Sequence, residues 1–123
     1  MKNIYTGRAP EAVGPYSQAV EVGELIFTSG QIAINPKEGK IVATDIEGQV
    51  EQCCKNLGEV LKAAGSEFNK VVKTTCFLAD IADFQAFNTV YESFFISKPA
   101  RSCVAVKDLP KGALCEIEVI AVK

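Results

Sequence analysis

Apolar residues recur at intervals of three and four in one long segment of the chain. They predict an amphipathic helix from Ile46 to Ala64, because this spacing places the apolar side chains on one stripe of a helix. Thr44 and Glu47 fit a capping box at its start, and Gly65 fits a left-handed residue at its end. The apolar positions are Ile46, Val50, Cys53 or Cys54, Leu57, Val60, Leu61 and Ala64.

A second helical stripe, nearer the C-terminus, is aromatic. Asp80 has the chemistry of a helix N-cap, and Pro99 ends the segment. The spacing of the aromatic side chains predicts a helix between these two residues. The stripe consists of Phe84, Phe87, Tyr91, Phe94 and Phe95.

Apolar alternation and β-branched runs predict five strands around the two helices. Gly23 separates the first two strands, which form a hairpin. The predicted order is β-β-α-β-α-β-β. Each helix buries one face, so both pack on one face of a single sheet, in one two-layer α+β domain over residues 1–123. The five strands are Tyr16–Val22, Glu24–Ile34, Lys70–Ala79, Arg101–Val106 and Leu114–Val122.

The last strand has apolar residues on both faces. Side chains alternate along a strand, so Glu116 and Glu118 share a face with Leu114, Ile120 and Val122. This face is too apolar to be simply solvated and too charged to be ordinary core. We therefore expect other copies of the chain to cover it in a closed oligomer.

Composition excludes several classes of function. The chain has no histidine, which removes Ser-His-Asp and Cys-His catalysis and nearly every histidine-bearing zinc site. Its net charge is −2 and its 13 basic residues are scattered, so nucleic acid is a weak partner candidate. Five cysteines without C-x-x-C spacing predict reduced, mostly buried thiols. With no membrane-length apolar run and no signal peptide, we expect a cytoplasmic protein.

Two charged residues in apolar strands are the main candidates for chemistry. The planar guanidinium of Arg101 suits capture of a carboxylate, although Arg101 could instead pair with Glu116 or Glu118 for structure alone. Glu116 is the candidate for handling water, and a nearby arginine would keep it ionised. Glu118 fits a second site carboxylate or a solvated strand position. Cys103 has no histidine to activate it and fits a buried thiol better than a nucleophile.

Several linked motifs resemble the RidA family of reactive-intermediate deaminases, also called YjgF-like or L-PSP-type proteins. The resemblance spans the chain and implies a chorismate-mutase-like fold, and a homotrimer whose sheets surround a central barrel with sites at subunit interfaces. The motifs are G-P-Y-S-Q-A at Gly14–Ala19, F-T-S-G-Q-I at Phe27–Ile32, P-A-R-S-C-V-A-V from Pro99, and C-E-I-E-V-I-A-V from Cys115.

The resemblance also implies an activity and a set of site residues. The activity is hydrolysis of 2-aminoacrylate and 2-aminocrotonate, through 2-iminopropanoate and 2-iminobutanoate, to 2-oxo acids and ammonia, with neither cofactor nor metal. Arg101 would bind the substrate carboxylate, Glu116 would position water, and Tyr16 would hold the ligand. The remaining ligand-lining positions would be Ser29, Gly30, Asn88 and Cys103.

Two other functions stay open at this point. The same pocket could bind 2-oxo acids or related metabolites and regulate another protein without turnover. An endoribonuclease or translation inhibitor is the other alternative, and the acidic balance and absent histidine argue against it.

Overall fold

The computed structural model describes all 123 residues. It contains two helices, α1 (Ile46–Ala63) and α2 (Phe84–Phe94). Short 3₁₀ turns lie at Phe68–Lys70, Ile81–Asp83 and Pro110–Gly112. The strands are β1 (Lys2–Ile4), β2 (Ala19–Val22), β3 (Leu25–Thr28), β4 (Ile34–Asn35), β5 (Lys40–Ile41), β6 (Val71–Leu78), β7 (Ala100–Ala105) and β8 (Cys115–Val122).

Six strands form one mixed sheet in the order β1-β2-β3-β8-β6-β7. The β6–β7 pair is parallel and the other pairs are antiparallel. The parallel pair requires a crossover, which α2 provides. Strands β4 and β5 form a separate two-stranded hairpin.

Both helices lie on the same face of the sheet. The predicted stripe of α1 is buried there, with Val50, Leu57 and Val60 fully enclosed. From α2 and its C-cap residue, Phe87, Tyr91 and Phe95 are buried and stack in sequence. Together with alternate residues of β8 they belong to one apolar cluster of 23 buried residues. The two-layer α+β prediction is confirmed. Neither helix combines the length and the apolar character that a membrane-spanning segment needs.

The predicted capping box of α1 is wrong. The residue that caps the helix is Asp45, whose side chain accepts a hydrogen bond from the Gly48 N–H at 2.9 Å. Thr44 lies one position before this cap. The end of α1 is as predicted, because Gly65 adopts the left-handed conformation with φ 78°. Asp80 caps the 3₁₀ turn before α2, accepting from the Ala82 N–H, and α2 itself begins at Phe84.

The N-terminal strands differ most from the prediction. The two hairpin strands are shorter, since the stretch before Ala19 is a loop and β3 ends at Thr28. Strand β1 and the β4–β5 hairpin were not predicted. Each has only two or three residues, which is too short for apolar alternation to be recognised.

The second face of the sheet lies open in the protomer, as the pattern of β8 indicated. Cys115, Ile117, Val119 and Ala121 point into the core, and the residues between them point outward. The apolar part of the open face extends over β2, β3 and β8. It includes Val22, Leu25 and Phe27, which are 37–48% exposed, and the half-buried Ile120 and Val122.

Candidate active site

A cavity of about 610 Å³ opens on the face of the sheet that is turned away from α1 and α2. We call it the Glu116 pocket. It contains Glu116 and Glu118 of β8, parts of the loop before β2, the segment after β3, and the turn before β8. Its lining residues are Pro10, Glu11, Ala12, Val13, Tyr16, Gln18, Ser29, Gly30, Gln31, Ile32, Ile34, Pro110, Lys111, Glu116 and Glu118.

The pocket exists because β3 leaves its ladder with β8 after Thr28. There the Val119 N–H donates to the Thr28 hydroxyl oxygen at 3.0 Å instead of to a backbone carbonyl. Pairing resumes between Gln31 and Ile117, whose backbones exchange bonds of 2.9 and 3.1 Å. The two intervening residues, Ser29 and Gly30, are thereby displaced from the regular ladder and line the cavity.

Gly30 touches the candidate catalytic carboxylate. A Cβ atom at this position would overlap the carboxylate of Glu116. The φ of Gly30 is not in the left-handed region, so the requirement for glycine here comes from space and not from backbone conformation. The absence of a side chain at residue 30 lets Glu116 lie flat against the backbone.

Buried hydrogen bonds fix the loop that forms the other wall. Gln18 is almost fully buried, and its amide donates to the carbonyls of Thr6 and Pro10 and accepts from the Thr6 N–H at 2.7 Å. The Ser29 hydroxyl donates to the Ser17 carbonyl. Tyr16 projects at the mouth of the pocket with 53% of its surface exposed.

Glu116 is half buried, and this changes its acidity. Burial raises the pKa of the Glu116 carboxyl, and the charge of Glu118 raises it further. The ion pairs within the chain are Lys55–Glu51 and Lys123–Glu21, so neither glutamate is paired. Within the protomer, the expected stabilisation of ionised Glu116 by an arginine is therefore absent.

Arg101 occupies a second cluster, on the edge strand β7. Its Nη1 donates to Asn88 Oδ1 at 2.7 Å, and its Cζ lies 4.8 Å from the Tyr91 ring centre and 5.5 Å from that of Phe84. These three partners lie at i, i+4 and i+7 on α2 and therefore share one face of that helix. Arg101 is half buried and has no carboxylate partner in the protomer. We call Arg101 and its α2 partners the Arg101 cluster.

The two groups of predicted site residues lie on opposite faces of the sheet. Arg101 pairs in register with Thr74, whose hydroxyl lies 2.8 Å from that of Tyr91 on the helix side. Glu116 pairs with Phe77, three residues further along β6 and therefore on the other face. The alternative in which Arg101 forms a structural ion pair with Glu116 or Glu118 does not hold within one protomer.

The predicted residues divide cleanly between the two places. Tyr16, Ser29, Gly30 and Glu116 line the Glu116 pocket. Asn88 belongs to the Arg101 cluster, and Cys103 lies two residues beyond Arg101, beside an apolar hollow that also contacts Phe84.

All five cysteines are free thiols, and four of them are buried as predicted. Cys103 is only half buried, and burial raises the pKa of its thiol, with Arg101 opposing that shift. No three His, Cys, Asp or Glu side chains gather in a geometry that could hold a metal ion.

Sequence reasoning missed Glu11 and Lys111 as residues of the pocket. Lys111 lies in the Pro110–Gly112 turn with φ 58°, and the turn folds back over the pocket. Both residues lie in segments whose sequence indicates only a loop. The sequence did contain one indication for Lys111. It lies in a short Pro-Lys-Gly turn just before the strand that carries both candidate carboxylates, so it could be expected near them.

The family model described as Endoribonuclease L-PSP matches residues 6–123. The chain belongs to the RidA family. A mouse relative, 2-iminobutanoate/2-iminopropanoate deaminase, is 50% identical and covers 99% of this chain and 91% of that protein. A putative regulator, AldR, from Lactococcus lactis is 53% identical over 98% of this chain and 97% of that protein.

Solved structures agree with the fold. The crystal structure of a putative endoribonuclease from Thermotoga maritima superposes with a TM-score of 0.97 at 46% identity, over 100% of this chain and 98% of that one. Relatives in the RidA family thus carry three kinds of name, deaminase, regulator and endoribonuclease. These names leave three candidate functions for this chain.

Proposed function

We propose that this chain hydrolyses 2-imino and 2-enamino acids, such as 2-iminopropanoate and 2-iminobutanoate, to 2-oxo acids and ammonia. The active site forms where the Glu116 pocket of one protomer meets the Arg101 cluster of a neighbour in a cytoplasmic homotrimer. One observation carries the proposal: each protomer presents an unpaired guanidinium and an unpaired carboxylate on opposite faces. The names of mammalian relatives at about 50% identity support the same reaction.

Arg101 provides the anchor for the substrate carboxylate. One nitrogen of its guanidinium is held by Asn88, and two aromatic rings flank the group, so its direction is set before a ligand binds. Nitrogens not used by Asn88 can donate two parallel hydrogen bonds to a carboxylate. The partly desolvated site strengthens that attraction.

Glu116 provides the proton transfers. With the imine nitrogen protonated, water adds to the C=N carbon while the Glu116 carboxylate accepts one of its protons, which gives a neutral tetrahedral amino alcohol. The protonated Glu116 then returns that proton to the amine nitrogen. As the C–N bond breaks and ammonia leaves, the hydroxyl proton passes to the Glu116 carboxylate and on to solvent, and the carbonyl of the 2-oxo acid forms. In the protomer, burial raises the pKa of the Glu116 carboxyl, which favours the step in which Glu116 holds a proton before returning it.

The other predicted residues hold the ligand. Tyr16 at the pocket mouth can donate its hydroxyl, and Gly30 lets the backbone approach the reacting atoms. The Ser29 hydroxyl already donates its proton to the Ser17 carbonyl. Its oxygen can therefore only accept a hydrogen bond from the ligand, or Ser29 serves to hold the pocket wall in place. Cys103 contributes its backbone beside Arg101. The reaction assigned to these residues uses no cofactor or metal.

The test is release of 2-oxo acid from an imine made in place by a pyridoxal-phosphate-dependent dehydratase. We expect wild-type protein to accelerate release. The Arg101→Ala variant should lose about 10²- to 10⁴-fold in kcat/KM, because two charge-assisted hydrogen bonds are worth about 3–6 kcal/mol together. Arg101→Lys is the matched control. It should retain part of the activity, since it keeps the positive charge but lacks the planar group that donates two parallel hydrogen bonds. Equal rates for wild type, Arg101→Ala and no protein would refute the deaminase function.

A metabolite-binding regulator is the second candidate, supported by the name of the Lactococcus lactis relative. It predicts that a 2-oxo acid binds, that Arg101→Ala abolishes binding, and that wild type does not turn over an imine. Calorimetry with 2-oxobutanoate beside the coupled assay separates the two functions. An endoribonuclease is disfavoured, because the pocket contains three carboxylates and a single lysine.

A further inference from the structure

Glu118 lines the same pocket as Glu116, yet the reaction as described gives it no role. The two residues are two positions apart on β8 and point to the same face, so their Cβ atoms are about 7 Å apart. Neither carboxylate forms an ion pair within the protomer. Two unpaired like charges this close to one cavity are costly unless one of them readily takes up a proton.

Contact with the Gly30 backbone restricts the directions in which the Glu116 carboxylate can turn. Its carboxylate lies directly on the backbone of Gly30, where even one added carbon would not fit. On the other side of β8, the neighbouring residues Cys115 and Ile117 are fully buried in the core, so the strand itself is fixed. Glu118 is the more exposed of the two glutamates and stays hydrated. Protonation therefore falls on Glu116.

We propose that Glu118 is a positioning residue that acts through Glu116, keeping that carboxyl ready to hold a proton between the two halves of the imine reaction. The proposal rests on the deaminase function for its kinetic consequence, but the electrostatic coupling itself does not require turnover. Burial, the first cause of the raised pKa of Glu116, remains when Glu118 is changed, and the repulsion from Glu118, the second cause, is removed.

Other charged groups surround Glu116, and the coupling must be distinguished from them. The Pro110–Gly112 turn contributes Lys111, and the loop before β2 contributes Glu11, which accepts a hydrogen bond from Tyr5, and also Tyr16. On β6, Lys73 directs its ammonium to the Ser102 hydroxyl at 3.3 Å. Behind the strand, the Cys53 and Cys115 thiols are 3.7 Å apart and buried. In the proposed trimer, a neighbour's Arg101 would lower the pKa of Glu116 and oppose Glu118.

The experiment follows the carboxyl carbon of Glu116 by NMR titration in protein labelled with ¹³C-glutamate, with Glu116→Gln used for assignment. Removing the charge in Glu118→Gln should shift the pKa of Glu116 downward. Glu118→Asp keeps the charge and should restore a raised pKa. Glu67→Gln, which removes an exposed carboxylate far from the pocket, should leave the titration unchanged. Light scattering and thermal unfolding establish that each variant is folded and assembled like wild type.

Kinetics with the coupled assay provide the second measurement. In Glu118→Gln the acid limb of the kcat profile should move to lower pH, and kcat at neutral pH should fall while KM stays within about twofold. Identical Glu116 titrations in wild type and Glu118→Gln would overturn the proposal, as would a rise in KM with an unmoved acid limb. If wild type has no deaminase activity but the titration depends on Glu118, only the proposed function fails and the coupling stands.

Discussion

The Glu116 pocket and the Arg101 cluster are built in opposite ways. The pocket is a cavity on the open face of the sheet, formed by loops and containing three carboxylates and one lysine. The cluster is a cation on an edge strand, held by aromatic and amide side chains of α2 on the helix side. Each region concentrates one sign of charge, and the sheet between them prevents mutual neutralisation.

This separation shows how a small chain can keep strong charges available for a ligand. If Arg101 and Glu116 faced each other in one protomer, they would pair, and substrate would have to break that pair. Because they lie on opposite faces, Arg101 and Glu116 cannot pair with each other within one protomer. Three predictions test this comparison, from the largest expected effect to the smallest.

Mixing two inactive variants should restore activity if the halves come from different protomers. Arg101→Ala and Glu116→Gln should each be about 10²- to 10⁴-fold below wild type, the range typical of losing a charged anchor or a general acid–base. In the proposed trimer, refolded from an equal mixture, about one quarter of the interfaces would combine an intact pocket with an intact cluster. We expect about a quarter of wild-type activity in the coupled assay.

The matched control for this mixture is Arg101→Ala with Asn88→Ala. Both substitutions damage the Arg101 cluster, so every interface keeps an intact pocket but none gains an intact cluster. Activity should stay at the average of the two parents. Recovery in the control, or none in the test mixture, would mean that the site does not lie between protomers.

The close approach of Gly30 to Glu116 gives an intermediate effect. In Gly30→Ala the new methyl group must displace the Glu116 carboxylate, and kcat should fall about 10- to 100-fold because a general base has moved. The melting temperature should change less than kcat, because the nearest atoms that must move all belong to one side chain, Glu116.

Gly7→Ala is the control for Gly30→Ala. A Cβ there meets only the Tyr5 hydroxyl at an ordinary contact distance of 3.8 Å, so activity should be unchanged. Equal kcat values for wild type and Gly30→Ala would show that the position of Glu116 in the pocket is not important for the reaction.

The smallest effect on activity is expected on the Arg101 side. Tyr91→Phe keeps the ring beneath Arg101 and removes only the hydroxyl that contacts the buried Thr74 at 2.8 Å. The free energy of unfolding should fall by about 1–3 kcal/mol, because Thr74 loses its buried partner. Denaturant unfolding measures that loss, and kcat/KM should stay within about twofold. A large loss of kcat/KM with unchanged stability would assign the hydroxyl a role in binding.

The fold was predictable wherever a repeated pattern of side chains recorded it. The stripe of α1 and alternate residues of β8 are buried in the structure, and the aromatic stripe packs on the same core, with Phe84 and Phe94 partly buried. The predictions failed where one local contact decides. Asp45 and not Thr44 caps α1, and β3 ends at Thr28 because that hydroxyl replaces a backbone carbonyl in the ladder.

The sequence named candidate site residues but not their arrangement, and their roles stay predictions. Arg101, Asn88, Glu116, Gly30 and Tyr16 were all named from motifs, and each lies in one of the two regions. Glu11 and Lys111 were missed, because loops carry no periodic signal that says which way they fold.

The sequence by itself determined the helices, the long strands and the available chemistry, because these depend on local spacing and on residue type. Without histidine, acid–base work had to fall to groups such as Glu116. Only the tertiary structure decided that Arg101 and Glu116 lie on opposite faces and that burial raises the pKa of Glu116. Strand order, register and desolvation arise from contacts between distant segments, which no local pattern encodes.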